Sequence, residues 1–256
     1  MASSYLDIGL EAVKRAEEVI LKYFQTELKP DVKSDDSPVT IADRQAEETI
    51  KKTIRKKFPD HTFYGEEGAK VDLSDHKGFT WIIDPIDGTK SYMRGNPLFA
   101  TQLALLHDGK LVIGISNAPL LDELVFAERG HGCYRNGERV SVSSVTSIPE
   151  SYMSFGSLKY FMKSNALQPL LSLAEQTKWA RGIGDFWSYH LLAQGKLDVM
   201  IEAETKLWDI AAMTVIIEEA GGHVSQLNGL PVNHMTTNFL ATNGKLHDEV
   251  LSYLKP

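Results

Sequence analysis

Residues 81–89 read Trp-Ile-Ile-Asp-Pro-Ile-Asp-Gly-Thr, and no other stretch restricts the fold as much. Trp81, Ile82 and Ile83 form an apolar run that reads as the end of a buried strand. Two carboxylates, Asp84 and Asp87, follow directly. Carboxylates crowded at a buried strand end repel one another unless something positive stands between them. The counter-charge that best suits oxygen ligands alone is a hard divalent cation. Gly88 admits close backbone approach, and Thr89 leads into a helix-compatible segment whose first N–H groups suit a phosphate. The fold must therefore bring a strand end, a turn and a helix start to one polar cleft. The stretch reads as half of a metal-assisted phosphate site.

Upstream of it the pattern is helical. Leu6, Leu10, Val13, Ile20 and Phe24 recur at helical spacing, which predicts an amphipathic helix over about 4–27, ended near Pro30. Residues 30–39 read as a polar loop. A second helix is predicted over about 42–57, with Thr40 and Asp43 as a capping pair. Phe63-Tyr64 is a short apolar piece before Gly65-Glu66-Glu67-Gly68, and 69–79 reads as a polar surface loop. Apolar runs at 98–106 and 111–117, joined through Asp108-Gly109, predict a hairpin. A strand at 123–128 and a turn at Asn136-Gly137 extend an antiparallel region.

From about residue 150 strands and helices alternate. Strands are predicted at 151–155, 179–181, 197–202, 223–226 and 239–242, and helices at 166–177, 185–194, 209–220 and 245–254. The fold class is therefore α/β, with an α+β N-terminal half. Residues 1–145 are expected to form an N-terminal α+β metal-binding subdomain, and 146–256 a C-terminal α/β substrate-binding subdomain. No Pro/Gly/Ser-rich linker separates them, so they should share an interface.

Composition excludes several function classes. The formal charge of −7 argues against a general nucleic-acid role, which needs basic patches. No apolar stretch approaches the ~20 residues of a membrane span, and charges from Glu11 to Glu18 interrupt any signal-peptide core. The single cysteine, Cys133, excludes an intrachain disulfide framework and fits a reducing compartment. A cytoplasmic protein is the expectation. The eight histidines are scattered without metal-ligand spacing and read as structural or surface residues.

Four islands carry carboxylates in unusual places: Asp43, Glu66-Glu67, Asp84 with Asp87, and Asp209 within Leu207-Trp208-Asp209-Ile210-Ala211-Ala212. Each alone has an ordinary reading. Asp43 is then a first-turn acid, Asp209 a helix cap, Glu66-Glu67 a solvated pair and Asp87-Gly88 a turn. Their co-occurrence beside Trp81 and Trp208 favours a shared site. No Lys or Arg is expected to stand fixed against these islands.

Taken in order, Gly65-Glu66-Glu67, Trp81 to Thr89, and Trp208-Asp209-Ile210-Ala211-Ala212 with Glu219-Ala220-Gly221-Gly222 resemble the inositol monophosphatase-like phosphatases. The match spans nearly the whole chain. The resemblance implies a layered αβαβα sandwich of the inositol monophosphatase and fructose-1,6-bisphosphatase type. It also implies Mg2+ dependence, lithium sensitivity and a homodimer. By motif, Glu66, Asp84 and the Ile86 carbonyl would hold one Mg2+, and Asp84, Asp87 and Asp209 a second. A third, weaker ion near Glu66 is possible. Gly88 and Thr89 would donate to the phosphate, and Asp43 and Thr89 would orient the attacking water. Glu66, Asp43 and Thr89 are thus the implied catalytic residues. Haloacid-dehalogenase-type phosphatases also use an Asp-rich segment, but their two acids are separated by one residue. Asp84 and Asp87 are separated by two, and Glu66 and Asp209 would then go unused.

The substrate is read from the second half. After Arg181-Gly182-Ile183-Gly184 stands Asp185, followed by Phe186 and Trp187, where inositol enzymes commonly carry Ser or Thr, then Ala. This resembles the histidinol-phosphate phosphatase branch, as does Thr89-Lys90-Ser91-Tyr92-Met93-Arg94-Gly95. L-Histidinol carries an ammonium and an imidazole. Asp185 is expected to pair with that cation, with Glu202 as a second acidic contact and Arg181 nearby. Asp185 could instead be an N-cap and Glu202 a surface acid. The alternatives are an inositol-1-monophosphatase, a broad sugar-phosphate phosphatase, or a non-catalytic metal- or phosphate-binding protein of the same fold. The expected partner is a small phosphorylated substrate, with no nucleic acid and no membrane.

Overall fold

The computed structural model of the chain describes residues 3–26, 31–32, 38–68, 71–74 and 77–254. Its N-terminal elements are α1 (Ser4–Tyr23), β1 (Asp31–Val32), β2 (Pro38–Val39), α2 (Ile41–Arg55), β3 (Thr62–Gly65), β4 (Phe79–Asp87) and α3 (Thr89–Met93). Then come β5 (Ala100–His107), β6 (Lys110–Ala118), β7 (Glu123–Glu128), β8 (Gly132–Arg135), β9 (Glu138–Val140), β10 (Tyr152–Phe155), α4 (Leu158–Lys163) and α5 (Leu167–Gln176). The chain closes with β11 (Trp179–Arg181), α6 (Asp185–Ala193), β12 (Val199–Glu202), α7 (Leu207–Glu219), β13 (His223–Ser225), β14 (Phe239–Thr242) and α8 (His247–Leu254).

Five layers result. Strands β3 to β9 form a seven-stranded sheet in chain order. One face carries α1 and α2, whose Val13, Ile20, Ala46 and Ile50 pack on Trp81, Ile83 and Leu105. The other face carries α6 and α7, whose Leu192, Ile210 and Ile216 pack on Val125 and Cys133. Those helices also meet Met200, Phe239 and Ala241 of a five-stranded sheet of order β11-β10-β12-β14-β13. Beyond it, Phe161, Leu170, Leu173 and Val250 of α4, α5 and α8 close the last core. The expected αβαβα sandwich is the fold. Among the described residues no helix is long and apolar enough to cross a membrane.

The interior helices lack the one-sided pattern because both their faces are covered. In α7, every residue from Ile210 to Ile217 is buried. One polar network fixes α6 to the seven-stranded sheet. His190 Nδ1 lies 3.1 Å from Glu123 Oε1, and its Nε2 2.7 Å from Ser116 Oγ. Arg135 Nε and Gln194 Nε2 also donate to Glu123, at 2.9 and 2.8 Å.

Several local expectations need adjustment. Helix α1 stops at Tyr23, where Phe24 turns extended, earlier than the hydrophobic spacing suggests. β3 pairs parallel to β4, so the first sheet is not wholly antiparallel. Helix α4 is too short to carry a periodic signal and lies in a stretch for which the sequence pattern predicts no element. Helix α7 starts at Leu207, which places Asp209 inside its first turn. Of the expected 30–39 loop, residues 31–32 and 38–39 form a short antiparallel ladder and the rest lies outside the described residues. Residues 69–70 and 75–76 of the other expected loop also lie outside them.

Candidate active site

Asp84 and Asp87 are three positions apart on β4. On a regular strand, where successive side chains alternate, they would face opposite sides of the sheet. The ladder prevents this. Asp84 pairs with Gln102 but Asp87 with Ala100, so the register shifts between them. Three steps on β4 match two on β5, the signature of a bulge, which bends the strand and re-aims side chains. Pro85 sits in the bulge, where its missing N–H removes no ladder bond, and its carbonyl accepts from Thr101 Oγ1 at 2.9 Å.

Next, Gly88 takes φ +87, and a Cβ there would meet the Leu98 carbonyl oxygen at 2.7 Å. Only glycine fits that turn. It starts α3, and Thr89 Oγ1 donates to the Ile86 carbonyl at 3.0 Å.

Glu66 follows the parallel neighbour β3, and its N–H donates to the Ile83 carbonyl at 3.0 Å. The turn is held from below by α2. Glu67 N–H donates to Glu47 Oε2 at 2.9 Å, and Lys51 Nζ lies 2.5 Å from Glu47 Oε1. Both partners are buried, Glu47 at 2% exposure and Lys51 at 9%. A side chain at Gly65 would strike the Glu47 carboxylate. Sequence reading missed this pair. The signal for it is a polar stripe, Asp43, Glu47 and Lys51, four residues apart on α2 and beside its apolar face.

Asp43 closes the capping box of α2. Its Oδ2 accepts from Thr40 N–H at 2.8 Å and from Thr40 Oγ1 at 2.6 Å. Its Oδ1 is buried without a hydrogen-bond partner. Asp209 is likewise both cap and site residue. Its Oδ2 accepts from Lys206 N–H at 2.8 Å and from Thr205 Oγ1 at 3.1 Å.

The electrostatics follow from crowding. Burial, then the charges of Glu66, Asp87 and Asp209, push the Asp84 carboxyl well above the carboxylate range. A hydrogen bond with Glu66 adds to this, because one member of such a pair must hold a proton. Burial and the charges of Asp185, Asp209 and Glu202 do the same to Asp87. Burial lifts Asp209 to about 7, against the lowering effect of its capping bonds.

Asp87, Asp185, Glu202 and Asp209 line one cavity of about 190 Å³. Asp185 is exposed. The residue takes φ +48, an uncommon region for a side-chain-bearing residue, and Gly184 rather than Asp185 caps α6. The N-cap reading of Asp185 therefore fails. Two other elements satisfy donors at this helix start instead. Phe186 N–H donates to Asp87 Oδ2 at 3.1 Å, and Asp185 N–H donates to Glu202. Glu202 is raised well above its usual range, chiefly by burial, then by Asp185 and Asp209.

The expectation that no lysine stands near the acids is also corrected. Lys206 lines the cavity, and the Lys90 charge opposes the upward shift of Asp185. Arg181 is not among the cavity-lining residues. It is exposed at the end of β11, over the Trp179 ring at 5.3 Å, with its Nη1 donating to Ala180.

Among the described residues no three His, Cys, Asp or Glu side chains already converge in ligating geometry. The donor set nevertheless fits Mg2+. It is all oxygen, its carboxyls are too crowded to ionise fully unaided, and Mg2+ needs only a few carboxylates because it retains waters. The orphaned Asp43 Oδ1, next to Glu66, is a further acceptor for water there.

Residues 1–255 match the model of the inositol monophosphatase family, and the chain belongs to that family. It is 36% identical over 261 residues to a histidinol-phosphatase of Mycobacterium tuberculosis, covering 99% of each chain. A histidinol-phosphatase of Chlorobaculum parvum is 39% identical over 218 residues, 85% of this chain and 83% of that one. Among solved structures, an IMPase of Thermotoga maritima superposes with a TM-score of 0.88 at 32% identity, covering 98% of this chain and 97% of that one. The protein is a phosphatase of this family.

Proposed function

We propose that the protein hydrolyses L-histidinol phosphate to L-histidinol and phosphate, late in histidine biosynthesis. The observation that carries this reading is the second acidic pair. Asp185 and Glu202 line the same cavity as Asp87 and Asp209, yet metal binding does not need them. With Glu204, five acids line the cavity against Lys206 and leave a surplus of negative charge, which suits a substrate whose alcohol portion is cationic. Two relatives named histidinol-phosphatase support the reading. The likeness to an IMPase keeps an inositol or sugar phosphate as the second reading. A homodimer, from the family resemblance, and a cytoplasmic location, from the sequence composition, accompany the proposal.

Glu66, Asp84, Asp87, Asp209 and the Ile86 carbonyl are proposed to hold two or three Mg2+. When bound, Mg2+ neutralises the phosphoryl oxygens, activates water and stabilises the leaving alkoxide. Gly88 and Thr89 N–H groups donate to the phosphoryl oxygens. Asp43 is held rigidly through Oδ2, so its Oδ1 is free to accept a hydrogen bond from the attacking water. The Thr89 hydroxyl supplies a second contact to that water. Asp185 and Glu202 bind the ammonium.

Asp185→Ala should lower kcat/KM for histidinol phosphate about tenfold or more, and for uncharged esters much less. Equal losses on both would remove the ammonium-partner role.

A further inference from the structure

Only three buried side-chain polar atoms among the described residues lack a hydrogen-bond partner: Asp43 Oδ1, Gln102 Oε1 and the Tyr189 hydroxyl. The first two belong to acids and amides of the metal half of the site. Tyr189 does not. It lies on α6, is 3% exposed, and packs its ring on Phe239 with 5.7 Å between centroids. The same ring is a wall of the cavity that holds Asp87, Asp185, Glu202 and Asp209. Its hydroxyl stands in the field of all four carboxylates, Glu202 foremost.

Packing does not explain this hydroxyl. A phenylalanine would fill the same volume without burying an unsatisfied polar group, which opposes folding. The chain keeps the oxygen where the fold would be better without it. A ligand group that completes its hydrogen bonding accounts for that.

The surroundings say which kind. The hydroxyl lacks a partner for its O–H as well as for its lone pairs. A nearby carboxylate can take the O–H once the site is filled, which leaves the oxygen to accept from a donor, and the negative field selects a cationic one. A primary ammonium has three N–H groups to place. Asp185, Glu202 and Tyr189 line the same cavity and offer three acceptors. We infer that Tyr189 is a specificity-determining residue whose hydroxyl oxygen accepts an N–H from the substrate's primary ammonium, alongside Asp185 and Glu202. This deepens the proposed function and rests on it.

Tyr189→Phe deletes the one oxygen and nothing else. The experiment measures kcat/KM of the Mg2+-loaded wild type and variant on two esters. One is L-histidinol phosphate, and the other is its amine-free analogue 3-(imidazol-4-yl)propyl phosphate. Because both carry the imidazole and the phosphate, their ratio isolates the ammonium. The expected result is a fall of about tenfold in that ratio, with a melting temperature that holds or rises. An unchanged ratio, or a lowered melting temperature with an unchanged ratio, makes the hydroxyl a structural group and overturns the inference. If the wild type itself does not prefer the amine-bearing ester, the histidinol phosphate reading fails first and this inference with it.

Discussion

Asp84 is a residue that folding alone would not choose. It is 3% exposed, with Glu66, Asp87 and Asp209 acting on it, and burial is the largest force against its ionised form. Asp84→Asn keeps the shape and removes one like charge. The variant should lose turnover of every phosphate ester by ~1,000-fold or more, while its metal-free melting temperature rises by a few °C. Phosphate release and thermal scanning check the two halves. The same crowding fixes a pH dependence. Asp209 is held at about 7, far above its usual 3.8, so the folded chain binds protons that the unfolded chain has released. The contribution of Asp209 to the stability of the metal-free protein is therefore fully present below about pH 4 and is lost as pH rises through about 7. Mg2+ must displace those protons, so its stabilising effect runs the other way. Thermal scans with and without Mg2+ should give a larger Mg2+ shift at pH 8 than at pH 5.

At the scale of elements, the site is a convergence of ends. The exits of β3, β4 and β12 meet the entrances of α3, α6 and α7; β4 supplies two acids, β3, β12, α6 and α7 one each, and α3 none. The least visible support is α2, whose buried Glu47–Lys51 pair holds the Glu66 turn through the Glu67 N–H. Glu47→Ala would leave the buried Lys51 ammonium with only the exposed Glu48 carboxylate, 3.7 Å away, and the Glu67 N–H without its acceptor. A loss of about 3 kcal/mol in urea unfolding is expected, together with weaker Mg2+ binding by titration. The motif islands are plain in the sequence because their residue types are costly in a core. The Glu47 pair is not, because an i,i+4 Glu–Lys spacing on a helix ordinarily marks a solvated face. The bulge is hidden for a related reason. Pro85 signals irregularity, but only the pairing of Asp84 with Gln102 and Asp87 with Ala100 reveals the extra residue.

Across the whole molecule, legibility follows the physics of burial. The outer helices α1 and α2 bury one face and show it as spacing, and the hairpin of β5 and β6 announces itself in Asp108-Gly109. The middle layer is harder. Helices α6 and α7 are covered on both sides, so their apolar runs give type and place but no facing. Likewise the role of Asp185 depends on which end of α6 meets Asp87, a contact spanning about a hundred residues that no local pattern encodes. The acids proposed as metal ligands and the two proposed as substrate contacts are all legible in the sequence, but that Asp185 and Glu202 share a cavity with Asp87 and Asp209 needed the layers assembled. The central claim, a phosphatase whose second acidic pair selects a cationic alcohol, is tested most directly by phosphate release at saturating Mg2+. The panel is L-histidinol phosphate, myo-inositol 1-phosphate and fructose 1,6-bisphosphate. The account predicts the highest kcat/KM on histidinol phosphate, by tenfold or more; far faster turnover of myo-inositol 1-phosphate would contradict it.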